Sequence, residues 1–185
     1  MIEEVIKIFR YVKSKDVFEE FYARSLSRRL LLKKSANRDA EQLMITELRA
    51  ECGDQFTKKV EEMLKDLNVS NQFMQEYKMV KGINDETIMT KQEGIETHFN
   101  VLSQASWPIS AQQEKEVIIP PLLLSFQKEF EAYYTGKYKG KCLQWNIQMG
   151  TCLIQANFSS NQVKLLDMSC SQALVLLAFN DPNAD

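Results

Sequence analysis

Glycine and proline are scarce, with six and four in 185 residues. A chain so poor in both has little room for long linkers or low-complexity segments. Histidine is scarcer still. His98 stands alone, and the four cysteines at 52, 142, 152 and 170 contain no CxxC pair. Zinc needs clustered nitrogen and sulfur ligands at tight spacings, so no metal site and no cofactor are expected. No apolar run approaches the ~18 residues of a membrane span, and no leader-like segment follows Met1, so neither a spanning nor a secreted chain is expected. Phosphate-cradling loops of the GxxxxGK[ST] or GxGxxG kind are missing as well. Net charge is only −2, which does not suit a nucleic-acid protein with an overall basic footprint.

What remains is the composition of an ordinary soluble protein, 44% hydrophobic and 26% charged. The length fits one sizeable domain or two small ones. The cysteines sit among apolar neighbours and read as small buried hydrophobes, which suits a reducing interior. A cytoplasmic and/or nuclear protein is expected.

Residues 1–82 read as helix. In 2-IEEVIKIFRYV-12 apolar residues recur three and four apart at Ile2, Val5, Ile6, Phe9 and Val12. The segment from Asp16, a plausible N-cap, to Lys34 puts Phe18, Phe21, Tyr22, Leu26 and Leu30 on one stripe. Asn37 and Asp39 can start a third helix through Leu43, Met44, Leu48 and Cys52, and Gly53 offers a break. A fourth runs over 54–70 through Phe56, Val60, Met63, Leu64 and Leu67, with Ser70 or Asn71 able to cap a short continuation to Tyr77. Four narrow apolar stripes are best buried against one another, as a helical bundle.

After Gly82 the pattern changes. Residues 83–95 are polar, as in a mobile connection, and 97-THFNVLSQASWP-108 has strand character around Phe99, Val101 and Leu102. A second polar loop leads to Pro120-Pro121, which open a helix to Tyr134. The stretch 141-KCLQWNIQMGTCLIQANF-158 then reads as a hairpin turning at Met149-Gly150. Leu143, Trp145 and Ile147 share one face of its first strand, whereas Cys152, Leu153 and Ile154 run consecutively, so its second strand is apolar on both faces. Either the chain covers that hairpin completely or another protein's strand does. A further strand at 162–169 and an apolar helix over 170–180, stopped at Asp181-Pro182, complete the layout. The fold class is α+β and mostly helical: an N-terminal four-helix bundle followed by a small α/β domain with a short mixed or antiparallel sheet.

No constellation looks like an active site. His98 has no serine or cysteine in a nucleophile motif beside it in sequence, and the pairs Glu61-Glu62 and Asp85-Glu86 would point different ways on a helix, so neither is a carboxylate dyad. Residues 1–35 carry nine Lys and Arg against five Asp and Glu, concentrated in 24-RSLSRRLLLKK-34. Arg24, Arg28, Arg29, Lys33 and Lys34 could form a face for an acidic partner, although a helical charge run is more often simply the solvated side. Trp107, ahead of Pro108, reads as a core plug between the sheet and the helix at 122–134.

The run 15-KDVFEEFYARSLSRRLLLKKSANRDAEQLMITELRAECGDQFTKKVEEMLKDLNVS-70 resembles the signature stretch of the cullins. So do 106-SWP-108, 120-PPLL-123, 136-GKYKGKCLQW-145 and 172-QALVLLAFN-180, in the order cullins have them. Five collinear motifs are far more specific than any one, and they cover nearly the whole chain. One departure is clear: where many members have a His-Ser-Gly-Arg-Lys-like segment, this chain has Tyr138-Lys139-Gly140-Lys141-Cys142.

The resemblance implies a non-catalytic scaffold subunit of a multi-subunit ubiquitin ligase. Cullins hold substrate adaptors on an N-terminal helical-repeat stalk, and a globular C-terminal region holds a zinc-bearing RING-box protein. That partner inserts a strand into the cullin's α/β sheet and recruits the ubiquitin-conjugating enzyme. On this reading residues 1–82 are the helical bundle, 83–168 the α/β domain that receives the strand, and 169–185 the first helix of a winged-helix region. Phe99, Val101, Leu102, Trp107, Leu143, Trp145, Ile147, Leu153, Ile154 and Phe158 are then the expected RING-box docking residues. The adaptor-binding stalk would precede Met1 and the winged-helix remainder, with its modified lysine, would follow Asp185, so the chain is expected to be a fragment. An autonomous helical module holding an acidic segment on residues 24–34 is the alternative. Neither reading involves nucleic acid or membrane.

Overall fold

The apolar repeat at the N-terminus produces α1 (Ile2–Phe9), which buries Ile6 and Phe9. The computed structural model describes residues 2–35, 37–82, 95–108, 117–159 and 162–180, and forms two compact units, Met1–Ser110 and Ala111–Asp185. In the first unit α1 is followed by α2 (Lys15–Leu31), α3 (Arg38–Cys52) and α4 (Asp54–Val80). Ile6, Phe9 and Leu48 are buried together, with Val12, Phe18, Tyr22, Met44, Cys52 and Phe56 packed around them, so all four helices feed one core. Phe9 anchors it, its ring 4.7 Å from Phe18 and 5.9 Å from Phe56.

The helix ends follow local chemistry. Asn37 caps α3, its side chain accepting from the Asp39 amide at 2.8 Å. Gly53, at φ 87, closes α3 and opens α4, a left-handed backbone that glycine adopts without strain. Several expectations for the first three helices need correction. Asp16 lies in the first turn of α2, one residue inside the helix, and Ser14 stands at the cap. The helix ends at Leu31 rather than Lys34: Lys33 turns left-handed at φ 52, and the Lys34 amide reaches back to the Arg29 carbonyl at 2.9 Å, the bond that closes a Schellman turn. Phe21 leaves the apolar stripe and is 65% exposed, and Val5 of α1 and Leu43 of α3 are exposed as well.

The fourth helix is also longer than its sequence suggests. It continues unbroken through Ser70 and Asn71 to Val80, because Phe73, Met74 and Tyr77 prolong its buried face. Ser70 caps nothing; it is fully buried inside the helix and accepts the Val101 amide at 2.7 Å. That bond bears on the next segment. The strand expected over 97–108 does not form, and its polar groups are instead held by α4 side chains. Asp66 accepts from the Ser103 amide and the Trp107 indole, and Ser106 donates to Glu62 at 2.6 Å. The boundary expected between residues 82 and 83 accordingly lies at 110/111, with 95–108 in the helical unit. The polar connection read at 83–95 lies, up to residue 94, outside the described residues, as do 109–116 and the stop at Asp181-Pro182.

The second unit contains α5 (Pro121–Lys137), β1 (Thr151–Ser159), β2 (Gln162–Ser169) and α6 (Cys170–Ala178). Pro121 at the first turn sacrifices no helical hydrogen bond. Phe126, Phe130 and Tyr134 form the buried face of α5, and Phe130 meets Trp145 edge-on at 6.1 Å. β1 and β2 pair antiparallel, with Thr151 opposite Ser169 and Gln155 opposite Leu165. The hairpin is therefore 151–159 with 162–169, one strand later than the one expected over 141–158. Residues 141–147 carry no strand, yet Leu143, Trp145 and Ile147 are half-buried while Cys142, Gln144, Asn146 and Gln148 are exposed, the alternation of a strand. A capping box between Ser169 and Gln172 starts α6, which packs on both strands and shares their unit.

Candidate partner-docking surface

The β1–β2 ribbon has two unlike faces. Directly opposed residues share a face, so the register puts Cys152, Ile154 and Ala156 with Met168, Leu166 and Lys164 on one side. That side is largely half-buried. The other carries Leu153, Gln155 and Asn157 with Asp167, Leu165 and Val163. Here Leu153 is 67%, Leu165 65% and Val163 59% exposed. Phe158, at the register shift between Asn157 and Ser159, is 64% exposed. The consecutive Cys152-Leu153-Ile154 run is thus two-faced in fact, and only one face is covered among the described residues. Val175 on α6 and Phe179 just beyond its end add exposed apolar surface. An isolated two-stranded ribbon is marginal in water, and an apolar face of this kind is the usual mark of a contact surface.

The structure divides the ten residues expected at the docking site. Leu143, Trp145, Ile147, Leu153, Ile154 and Phe158 lie in the second unit, on or just before the ribbon. Phe99, Val101, Leu102 and Trp107 lie in the first, on the segment held by α4. Trp107 is buried at 4%, but against α4, whose Asp66 accepts from its indole, rather than as a plug of the sheet, and it stands in no strand. Sequence reasoning missed Val163 and Leu165 on the partner strand, although Val163, Leu165 and Asp167 alternate with Lys164 and Leu166 there.

The basic stretch is not one uniform face. Arg24 pairs with Glu20 one turn away. Arg29 grips Glu41 of α3 with two parallel bonds of 2.8 and 2.9 Å, and a third reaches Ser25. The bond to Glu41 raises the guanidinium pKa above its ordinary value. Arg29 is therefore a tie between helices, while Arg28, Lys33 and Lys34 are exposed, the two lysines beyond the end of α2. Burial and the Glu41 carboxylate push the neighbouring Tyr22 hydroxyl up to about 12.

His98 is held below the usual imidazole value by desolvation and then by the charge of Lys33, which favours the neutral imidazole. Of the cysteines, Cys52, Cys152 and Cys170 are half-buried, but Cys142 is exposed, against the expectation of four buried thiols. Among the described residues no group of three or more His, Cys, Asp or Glu is placed to hold a metal ion, and no helix is long and apolar enough to cross a membrane.

An α+β chain with a helical first unit and a half-covered ribbon in its second is what these elements define. Residues 1–74 match the family model described as the cullin alpha solenoid domain, and residues 101–185 match the cullin alpha+beta domain. The chain belongs to the cullin family. It is 39% identical over 181 residues to Cullin-4 of Dictyostelium discoideum, covering 98% of this chain and 21% of that protein. It is 36% identical over 180 residues to Cullin-4A of Homo sapiens, covering 97% and 23%. With Cullin-3 of Dictyostelium discoideum it shares 36% over 182 residues, covering 98% and 22%. The chain thus spans less than a quarter of the length of these relatives.

Proposed function

We propose that this chain is a non-catalytic scaffold segment of a cullin-based ubiquitin ligase, working in the cytoplasm and/or nucleus, and that its β1–β2 ribbon receives a strand from a zinc-bearing RING-box protein. The ubiquitin-conjugating enzyme then joins through that partner, and substrate adaptors through a stalk outside this chain. One observation carries the docking half of this reading: Leu153, Val163 and Leu165 stand in solvent on one face of a two-stranded ribbon whose other face is largely half-buried. Strand addition supplies backbone hydrogen bonds at a sheet edge and side-chain cover for such a face together. Leu143, Trp145 and Ile147, alternating in burial as a strand would, extend the same apolar region in sequence.

Co-expression with a RING-box protein, followed by size-exclusion chromatography, tests it. A stable one-to-one complex that is lost on Leu153→Asp with Leu165→Asp is the expected result. A folded chain that elutes alone beside its folded candidate partner would defeat the docking reading. Charge reversal at Arg28, Lys33 and Lys34 should leave the complex intact; loss of binding there would favour an acidic-segment site on the basic stretch instead.

A further inference from the structure

Cys152 in β1 and Cys170 at the first position of α6 bring their sulfurs to 3.3 Å. Three features of the backbone produce this approach. In the ladder Cys152 stands opposite Met168 and the Cys170 amide bonds the Gly150 carbonyl at 2.9 Å, so the two cysteines are diagonal neighbours on one face. Gly150 leaves the space that the Cys170 side chain fills: a Cβ there would sit 2.5 Å from Cys170 Sγ. The Ser169–Gln172 capping box fixes the first turn of α6, and with it the position of Cys170. Neither thiol is fully buried, so a small oxidant can reach the pair.

We propose that Cys152 and Cys170 form a reversible disulfide that clamps the β1–β2 ribbon to the start of α6 when the thiol–disulfide poise turns oxidising. The co-reactant is a low-molecular-weight disulfide such as oxidised glutathione. One of the two cysteines, as thiolate, attacks one sulfur of that disulfide, forming a mixed disulfide and releasing one glutathione thiolate, which takes up the proton that cysteine lost. The other cysteine then gives up its proton and attacks the first cysteine's sulfur, expelling the second glutathione, whose thiolate takes up that proton. Two protein thiols are oxidised and one small disulfide is reduced to two thiols. Burial, then the hydrogen bond with Cys152, push the Cys170 thiol up to about 12. Formation closes the loop between positions 152 and 170, which spans both strands. The inference is independent of the RING-box reading.

The test is thiol mapping on the intact chain. The reduced protein is equilibrated with reduced and oxidised glutathione over a range of ratios, quenched in acid, labelled with a maleimide and digested for mass spectrometry. A peptide pair joining Cys152 to Cys170, lighter by two hydrogens than the reduced pair, is expected, while Cys52 and Cys142 stay unlinked to either. Cys170→Ser should stop the reaction at a glutathione adduct on Cys152. Maleimide on both Cys152 and Cys170 at the most oxidising ratio would overturn the proposal, as would a stable glutathione adduct on wild-type Cys152 or a link from either to Cys52 or Cys142. The wild-type map decides even if the variant fails to fold.

Discussion

The Asp66 carboxylate accepts the Trp107 indole N–H at 3.0 Å across 41 positions of sequence, and the same oxygen accepts the Ser103 amide at 2.8 Å. One α4 side chain thereby anchors both the backbone and the largest side chain of the segment 95–108. Asp66→Ala strands both donors, and hydrogen bonds to a charged acceptor contribute more than neutral ones, so the variant should lose about 2 kcal/mol. Asp66→Asn keeps a carbonyl oxygen and should lose roughly half as much. Urea unfolding followed by tryptophan fluorescence measures both; equal losses would show that the carboxylate charge contributes nothing beyond acceptor geometry.

Much of the fold was legible in the sequence, and the failures share one cause. Helix boundaries at Asn37, Gly53 and Pro121 were readable because capping, left-handed backbone and a missing amide are local facts. The 97–108 strand was misread because Phe99, Val101 and Leu102 carry a strand's residue types, while the decisive partners, Ser70, Asp66 and Glu62, lie far away in sequence. Ser70 was read as a cap for the same reason: a serine in a helix is locally a terminator, and only the distant Val101 amide explains its burial inside α4. The two-faced apolar character of 152–154 was visible, and the structure shows which face is open, yet the expected hairpin lay one strand too early: a turn does close at Gly150, whose amide bonds the Ile147 carbonyl, but 141–147 form no strand to pair across it. Gly150 also leaves room for the Cys170 side chain.

Arg29 and Glu41 join α2 to α3 through a two-pronged pair, with Glu41 the more enclosed partner, its side chain only 13% exposed. Arg29→Ala leaves that carboxylate sheltered without its cation. Removing one partner of a buried pair is more damaging than the net contribution of the pair, and partial exposure of the arginine moderates it, so about 2 kcal/mol of stability should go. Arg28→Ala, on the exposed side, should change stability by less than about 0.5 kcal/mol. Thermal unfolding of the two variants side by side checks the contrast.

The Tyr22 hydroxyl is buried and has no hydrogen-bond partner among the described residues. Its ring stacks on Phe18 at 5.9 Å, so the aromatic body belongs to the core while its polar atom is unsatisfied. Tyr22→Phe keeps the ring and removes the unpaired group, and should stabilise the helical unit by about 1 kcal/mol. A rise in the urea midpoint with an unchanged denaturant slope is the expected signature.

His98 gives the pH dependence a definite sign. Its pKa in the folded chain is lowered from the ordinary 6.5, so below that value the unfolded chain binds a proton that the folded chain resists. Its contribution is fully present above pH ~6.5 and is lost as pH falls through the mildly acidic range. His98→Gln should abolish this component, so the wild-type and variant stabilities should differ more at pH 5.5 than at pH 7.5 in favour of the variant. An identical difference at the two pH values would place the imidazole in an environment indifferent to its charge.

Leu153 and Leu165 lie on the open face of the ribbon at about two-thirds exposure each. The folded monomer therefore gains little from them, because most of their surface stays in water at either side of the folding equilibrium. Any association between chains gains about 25 cal/mol for each Å² of that surface it covers. The two effects predict opposite responses to one double variant. Leu153→Ser with Leu165→Ser should lower stability by less than about 1 kcal/mol, yet should shift the isolated chain from self-associated toward monomeric. Sedimentation velocity over a concentration series, beside urea unfolding, separates the two. A large loss of stability would mean that the face is packed in solution, and an unchanged sedimentation profile would mean that its apolar surface is too small to drive association without a partner.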